Sequence, residues 1–372
     1  MPLKRRPPGP PVLLCSFLLA GSWLTGCAIE GEPEPGLGPP VYICPEVGCG
    51  TNSPIIDGSP VHELDEGPTV AAFDGYDDDY DQHGDYNGWG MRIVHLRQHG
   101  LIFRVDVRGD HLYGVDQDGN LLKGASLVGA TLVLERMGPL MEKTPYYVFF
   151  EVYHNNLHFW LGDPLEKIES FRLSWSTLED PGTAQHYLCP PVDPMGWAGA
   201  TDHEAIFFQG DRYDPETATV TATGSRAENW FNIACAGSVP AKLHTNRHTR
   251  AGAGRGGFDA TPLQEQALLK MYTADYCGTG HAHTVLGQPL RWTNSLDWQD
   301  LELADPISYE AVWDSTGALC LDDPRMAEDD EEAEEMREQF AAECGLASCA
   351  EVFPDFPDGW QDPGYLLTAN PP

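Results

Sequence analysis

Basic side chains are scarce in this chain, which has 22 Lys and Arg against 57 Asp and Glu in 372 residues and a net charge of −35. Nucleic-acid binding depends on clustered Lys and Arg, so this balance argues against DNA or RNA as a partner. Long hydrophobic runs are also missing, because no stretch reaches the roughly 18 apolar residues of a transmembrane helix. The 41% of hydrophobic residues is still enough to bury a core, so we expect a compact protein of one or two domains.

The short motifs that carry most recognisable chemistry are absent as well. The chain has no C-x-x-C, no H-E-x-x-H and no P-loop, which leaves a thioredoxin-type redox site, a zinc protease and a nucleotide site without support. Gly252, Gly254 and Gly257 match G-x-G-x-x-G, but they follow a polar stretch where a strand would be required. Ser126 lies in a G-x-S-x-G pattern that lacks its last glycine. No reaction class follows from these patterns.

The N-terminus carries the clearest signal in the sequence. Three basic residues at positions 4–6 precede 13 mostly apolar residues, 12–24, which is the layout of an export signal. The run ends in Leu24-Thr25-Gly26-Cys27, which resembles the bacterial lipobox, so residues 1–26 are predicted to be removed and Cys27 to carry a diacylglycerol. The alternative is an ordinary signal peptide followed by a chance cysteine.

Lipidation at Cys27 predicts a protein held in the cell envelope, with the membrane as its partner through the N-terminal anchor. Residues 27–43 are rich in Pro, Gly and Glu and are expected to form an extended tether. Ala28 and Ile29 differ from the acidic retention signal of some bacteria, which favours the outer membrane. Any protein or polymer partner stays undetermined.

Eight cysteines are left after Cys15 in the signal and Cys27 at the lipid site are set aside. An even number in an oxidising compartment indicates four disulfides. The C-x4-C spacing favours two local pairs, Cys44 with Cys49 and Cys344 with Cys349. Cys235 and Cys277 are expected to pair with each other or with Cys189 and Cys320, the alternative being a nucleophile beside His244.

Hydrophobic periodicity predicts an α+β fold with a β-rich antiparallel N-terminal half. Residues 101–108 (LIFRVDVR) alternate with period two, and strands of this kind fill residues 92–223, with hairpin turns at 118–119 and 155–156. A short helical segment, 227–278, is expected to hold one helix at 229–236 and a second at 262–277, the latter capped by Thr261 and Gln264 and closed by Gly278.

Further strands are predicted within residues 287–323, at 290–293 and 311–321, and disulfides are expected to staple the fold. We therefore place a domain at residues 44–325. Residues 326–372 are predicted to form a solvated acidic helix and a Pro-rich tail, because 328–343 hold nine carboxylates and one arginine.

Candidate sites are few. His244 and His248 are four residues apart, so they would share one helical face if the segment after Pro240 is helical, and with Asp275 they could form a catalytic site with or without a divalent metal. The alternative is that these side chains are structural. Asp77, Asp79 and Asp81 open a possible calcium loop, but the remainder of the EF-hand pattern fails, so a solvated loop is the alternative there.

Ala274-Asp275-Tyr276-Cys277 resembles the four-residue signature of the ADYC domain family, which comprises exported bacterial proteins, often lipoproteins. Other segments are similar to the family in the same order, at residues 49–58, 207–214, 230–237 and 318–325. The resemblance implies an exported domain with no established activity, so it supplies no catalytic residue.

The signature also has a physical interpretation. In the last turn of the predicted helix, Asp275 would lie near the negative end of the helix dipole, so it needs a donor, for which Lys242, Arg247 and Arg291 are candidates.

The sequence as a whole therefore predicts a lipid-anchored cell-envelope protein that serves binding or structural interaction. One alternative is an envelope or extracellular hydrolase that uses His244, His248 and Asp275. Another is a calcium-dependent adhesion module.

Overall fold

The computed structural model describes residues 72–74, 86, 90–138, 140–159, 166–180, 182, 186–189, 203–210, 212–214, 218–221, 230–249, 261–284, 290–294, 308–362 and 364–370. The predicted signal peptide and tether, including Cys27, lie outside these residues, as do Cys44, Cys49, the three aspartates of the possible calcium loop and the glycines of the G-x-G-x-x-G match.

One large antiparallel sheet dominates the described part of the chain. Its strands follow the order β1-β13-β10-β8-β7-β6-β2-β3-β4-β5, with β9 paired to β8. The strands are β1 Ala72–Asp74, β2 Met91–Gln98, β3 Leu101–Arg108, β4 His111–Val115, β5 Leu121–Lys123, β6 Thr131–Met137, β7 Lys143–His158, β8 Lys167–Ser176, β9 His186–Tyr187, β10 Glu204–Gln209 and β13 Trp230–Cys235. A 3-10 turn, Gly124–Leu127, precedes β6.

Two smaller sheets and four helices complete the described elements. Strands β11 Arg212–Asp214 and β12 Thr219–Thr221 pair with each other. The other sheet has the order β14-β17-β15-β16 and is built from β14 Arg291–Asn294, β15 Ser308–Asp314, β16 Gly317–Leu321 and β17 Leu366–Asn370. The helices are α1 Val239–Thr245, α2 Pro262–Thr273, α3 Asp330–Cys344 and α4 Cys349–Val352. The predicted α+β class, with a β-rich antiparallel first half, is confirmed.

The two faces of the large sheet pack into two separate cores. Residues that alternate along β10 divide between them, since Phe207 lies in one core and Phe208 in the other. The Phe208 core also contains residues of α1, α2 and one face of the four-stranded sheet. The other face of that sheet packs with Cys349 of α4 and Trp360 in a third, smaller core. The large sheet coils until the β3–β4 turn meets the end of β10, where the Gln209 N–H donates to the Gly109 carbonyl at 2.7 Å. This closure brings the β3–β4 turn close to the helical side of the protein.

The strand predicted at residues 101–108 is confirmed as β3, because one of its faces is buried and the other is not. Phe103, Val105 and Val107 of β3 are buried in alternation, and the turn before β5 uses Gly119 with a φ of +81°. The turn predicted at residues 155–156 is wrong, because β7 runs through these positions and its register with β8 shifts between His154 and Leu157. An irregularity of this kind bends a strand without ending it, so the two asparagines do not reverse the chain.

The helix predicted at residues 229–236 is also wrong, since this segment is strand β13. β13 lies between β1 and β10 and is buried on both faces. Phe231 and Ile233 point into one core and Ala234 into the other. A strand that is apolar on both faces loses its period of two, so the spacing of its large residues can imitate a helix.

Helix α2 begins as predicted, with the reciprocal capping box between Thr261 and Gln264. It ends at Thr273, four residues earlier than expected, because Ala274 adopts the left-handed conformation with a φ of +51°. Residues 274–277 therefore form a turn after the helix. The acidic helix α3 buries Ala333 and Phe340, half-buries Met336 and Arg337, and exposes its other side chains. The same C-terminal segment also supplies β17, between β14 and β15.

Three disulfides staple the described residues: Cys189–Cys235, Cys277–Cys344 and Cys320–Cys349. The prediction of disulfides is confirmed, and Cys235 pairs with Cys189, one of the partners expected for it. The pairs Cys344–Cys349 and Cys235–Cys277 are wrong, because Cys277 is bonded to Cys344. Cys344 ends α3 and Cys349 begins α4, and the helix stop at Gly345 with the new start at Ser348 directs the two cysteines to different partners. Among the described residues, no helix is both long and apolar enough to span a bilayer.

Candidate functional site

The Ala274–Cys277 turn is the first candidate, and it lies inside the protein. Its path is fixed by backbone hydrogen bonds, from the Asp275 N–H to the Lys270 carbonyl at 2.9 Å and from the Ala318 N–H to the Tyr276 carbonyl at 2.9 Å. The first three of its side chains are fully buried. The turn therefore joins the end of α2 to the β15–β16 hairpin.

Asp275 is neutralised by a lysine of α2, the helix that precedes the turn. Lys270 Nζ lies 2.6 Å from Asp275 Oδ2 and 3.2 Å from the Gly278 carbonyl, and the Gly280 N–H donates to the same Oδ2 at 2.8 Å. The expectation that Lys242, Arg247 or Arg291 supplies this donor is wrong. The early end of α2 turns the carboxylate back over the last turn of the helix, where Lys270 is the nearest cation.

Tyr276 belongs to a buried network with Glu310 and Arg325. Its hydroxyl donates to Glu310 Oε1 at 2.6 Å, and Arg325 holds both oxygens of the same carboxylate, Nε to Oε1 at 2.5 Å and Nη2 to Oε2 at 2.8 Å. Burial together with the Glu310 charge raises the pKa of Tyr276 well above its usual value. Burial lowers the pKa of Arg325, but Glu310 and Tyr276 together outweigh this effect, so the pKa is raised.

Close backbone contacts complete the turn. Gly278 has a φ of +69°, and a Cβ there would lie 1.8 Å from the Thr316 carbonyl oxygen. Cys277 is bonded to Cys344 of α3, and Phe340 of the same helix packs on the Tyr276 ring with centroids 4.8 Å apart. Every polar group that could do chemistry here has a structural partner, except Asp275 Oδ1, which is buried without a hydrogen-bond partner among the described residues.

His244 forms the second candidate, at the junction of α1 and the large sheet. Its ring is fully buried and stacks on Phe208, with centroids 4.6 Å apart and an angle of 8° between the planes. Nδ1 lies 2.9 Å from Thr249 Oγ1. Nε2 lies 3.8 Å from Asp110 Oδ2 and has no hydrogen-bond partner among the described residues.

Asp110 and His111 follow Gly109 at the β3–β4 turn, and His111 begins β4. The other Asp110 oxygen, Oδ1, lies 3.5 Å from His111 Nε2. His111 Nδ1 lies 3.1 Å from Glu169 Oε2 on β8, an ion-pair distance without hydrogen-bond geometry. Sequence reasoning missed Asp110 and His111, since they are more than 130 positions from His244 and the only local signal is a Gly-Asp turn followed by a histidine.

His248 does not share a helical face with His244, because α1 ends at Thr245. Its Nδ1 contacts the Asn246 carbonyl oxygen at 2.6 Å, and its ring meets Trp292 edge-on. Full burial lowers its pKa to about 4.

The structure therefore does not gather the three predicted catalytic residues into one site: Asp275 pairs with Lys270, while His244 faces Asp110. As the side chains stand, no three His, Cys, Asp or Glu residues in the described part of the chain are spaced to hold a metal.

A family match was found for the part of the chain that contains the Ala274–Cys277 turn. The sequence profile of the ADYC domain matches residues 124–327, which is more than half of the chain and includes the turn and its partners Glu310 and Arg325. No curated protein matches this chain, and no solved structure does. The chain belongs to the ADYC domain family.

Proposed function

We propose that this protein is a lipid-anchored cell-envelope protein whose ADYC domain is a binding or structural interaction module. The observation that carries the proposal is the inward orientation of the family signature. Tyr276 and Asp275 each have a charged partner inside the core, Glu310 and Lys270 respectively. A signature used in this way builds a framework, and the outer surface is left to vary with the partner.

The arrangement argues against catalysis by the signature residues. General acids, bases and nucleophiles must reach a substrate, and they work best when their protonation can change near the working pH. Tyr276 is buried and its pKa is raised further from that range. Cys277 is bonded to Cys344 and so has no thiol to offer.

The disulfides support export. The three described bridges join cysteines 29 to 67 positions apart, so each closes a long loop. Bridges of this kind persist in oxidising compartments and are rare in the cytosol. The lipobox-like Leu24–Cys27 segment adds the attachment, and the acyl chains on Cys27 would hold the domain at the membrane.

Lipid labelling of the full-length chain in a bacterial host tests the anchor. We expect radiolabelled palmitate to enter the wild-type chain and the Cys15→Ser variant, which changes the other N-terminal cysteine within the predicted signal. Cys27→Ser should carry no label and should leave the membrane fraction. Equal labelling of Cys27→Ser and the wild type would refute lipidation at this residue.

Cross-linking of intact cells tests the interaction role. A lysine-reactive reagent should join the chain to another envelope component, and the same products should form in the His248→Gln variant, which alters only a buried side chain. Cross-links confined to the chain itself would contradict an interaction module. Turnover of an envelope polymer by the purified full-length chain would instead support the hydrolase alternative.

A further inference from the structure

The hairpin between β2 and β3 ends in an exposed apolar tip. His99 and Gly100 form its two-residue turn with φ angles of +50° and +79°, the conformation of the tightest hairpin turns. Leu101 and Ile102, which begin β3, are 59% and 55% exposed. Neighbouring residues of a strand point to opposite faces, so the tip presents apolar surface on both of its sides.

Two further apolar side chains lie next to this tip. Gln98 Nε2 donates to the carbonyls of Ser126 and Val128 at 2.8 Å each, which ties the hairpin to the loop after the 3-10 turn. Val128 is 39% exposed. On the other side of the hairpin, Leu121 of β5 is 46% exposed and lies in register with Arg104, two strands away. Four exposed apolar side chains therefore gather at one end of the large sheet.

The hairpin is also basic, although the chain is strongly acidic. No Asp or Glu occurs from residue 86 to residue 105, a stretch with three arginines, whereas the whole chain has 57 acidic residues and a net charge of −35. Arg97 and Arg104 flank the tip on β2 and β3. Attraction to a negatively charged surface is therefore favoured at this hairpin and opposed over much of the chain.

Carboxylates beside the hairpin limit how deeply this end can enter a membrane. Glu179 pairs with Arg97. In the β4–β5 turn, Asp116 accepts the N–H groups of Asp118 and Asn120 at 2.9 and 2.8 Å, and Asp118 is itself exposed. Because these charges favour water, they keep the domain at the level of the lipid headgroups and leave only the apolar tip to insert.

We infer that the β2–β3 hairpin binds an anionic lipid surface, with Leu101 and Ile102 between the headgroups and Arg104 against the lipid phosphates. A convex tip offers no groove for a peptide, but it fits the boundary between headgroups and acyl chains, where apolar area and basic charge both favour binding. The inference rests on the proposed lipid anchor, which holds the bilayer within reach at a high effective concentration. Binding at one end would fix which surface of the domain faces away from the membrane.

The β6–β7 hairpin is an internal control. Its tip residues Leu140 and Met141 are 88% and 73% exposed, and residues 135–143 hold two carboxylates and two basic side chains. It lies at the opposite end of β2, because Arg136 pairs with Met91 at the start of that strand. If exposure alone determined binding, this hairpin would meet the lipid, whereas a contribution from basic charge selects the β2–β3 hairpin.

Photolabelling from the lipid distinguishes the two hairpins. The full-length chain from a bacterial host is reconstituted in vesicles of phosphatidylglycerol and phosphatidylcholine that include a phospholipid with a photoreactive acyl chain. Trypsin should release the two tips as residues 98–104 and 137–143, since a basic residue precedes and ends each peptide. We expect the label in residues 98–104 and not in residues 137–143. Vesicles of phosphatidylcholine alone should give about 5-fold less label or lower, because each arginine near an anionic surface contributes roughly that factor in affinity.

Two double variants test the residues themselves. Leu101→Ser with Ile102→Ser should lower the labelling of residues 98–104 by about 10-fold or more, because burial of one large aliphatic side chain is worth at least that factor. Both side chains are exposed, so the melting temperature should stay at the wild-type value. The matched control, Leu140→Ser with Met141→Ser, should label residues 98–104 like the wild type.

Equal label in the two tips, or undiminished label in the Leu101→Ser, Ile102→Ser variant, would overturn the inference. Cross-links in intact cells from residues 98–104 to a protein, including a second copy of this chain, would assign the tip to that partner instead. Absence of palmitate on the chain would refute the anchor alone, since unanchored chain mixed with the same vesicles allows the same comparison of the two tips.

Discussion

The Glu310–Arg325 pair gives the sharpest prediction for stability. Both side chains are fully buried, and Arg325 grips the carboxylate with two nitrogens. Arg325→Met keeps the side-chain length and much of the packing on Trp313. It leaves the Glu310 carboxyl group buried without its cation, and the Tyr276 hydroxyl is then its remaining side-chain donor among the described residues. Removing one partner of a buried ion pair costs about 3–5 kcal/mol, so we expect a loss of this size.

Tyr276→Phe should lower the free energy of unfolding by less than Arg325→Met does, by about 1.5–3 kcal/mol, because it removes one hydrogen bond to a charged group and keeps the ring packed. Replacing both partners, Arg325→Met with Glu310→Leu, should cost less than the sum of the single changes, since no charge is then left buried. Arg108→Met is the control. Its pair with Asp106 is 58% exposed on the arginine side, so the loss should stay below about 1 kcal/mol.

Urea unfolding of the oxidised full-length chain measures these differences. Tryptophan fluorescence is a suitable probe because Trp313 stacks on Tyr276 and lies under Arg325. The midpoint should fall while the slope of the free energy of unfolding against urea stays constant. If Arg325→Met loses no more stability than Arg108→Met, the pair is not a buried one and the structural account of the signature fails.

Three further changes have distinct expected outcomes. Cys277→Ser removes the bridge to Cys344, 67 positions away, and should lower the free energy of unfolding by about 4 kcal/mol, because the unfolded chain gains conformational entropy. Peptide mapping of the unreduced wild type should recover these two cysteines in one disulfide-linked peptide pair. His248 has a folded-state pKa of about 4 against 6.5 ordinarily, so the unfolded chain gains its proton first on acidification. Stability should therefore be full above about pH 7 and fall by about 3 kcal/mol as the pH drops to 4, and His248→Gln should flatten this part of the profile; a profile equally steep in that variant would assign the loss elsewhere. Gly278→Ala should prevent folding or lower the free energy of unfolding by more than about 3 kcal/mol, because its Cβ would lie 1.8 Å from a carbonyl oxygen. Gly119 has a similar positive φ but open space around it, so Gly119→Ala should lower the free energy of unfolding by about 1–2 kcal/mol, as measured in thermal melts. Similar losses for both glycine variants would show that backbone conformation alone is responsible.

Local patterns predict the local parts of this fold well. Alternation identified β3 because one face is buried, and the Thr261–Gln264 capping box identified the start of α2 because both partners are within one turn. β13 was misassigned for the opposite reason, since burial on both faces erases the alternation. The end of α2 was missed because Ala274 adopts a positive φ that its side chain does not favour, and only contacts made after folding stabilise it there.

Contacts between residues that are distant in the chain could not be predicted from local sequence patterns. Lys270 was not identified as the partner of Asp275, because the pairing depends on where the helix stops. The meeting of Asp110 with His244 depends on the coiling of the large sheet, which no pair of positions reveals. The number of cysteines predicted disulfides, but their partners depend on the packing of α3 against the Ala274–Cys277 turn and of α4 against β16.

The C-terminal bridges have a practical consequence for anyone who shortens this protein. The family match ends at residue 327, yet Cys277 and Cys320 inside it are bonded to Cys344 and Cys349 beyond it. A recombinant fragment cut at residue 327 would carry two unpaired thiols and would lack β17, a strand with neighbours on both sides. Such a fragment would be prone to disulfide-linked oligomers, so an aggregated product would reflect the cut and not the domain. The unit that folds is longer than the unit that sequence similarity detects.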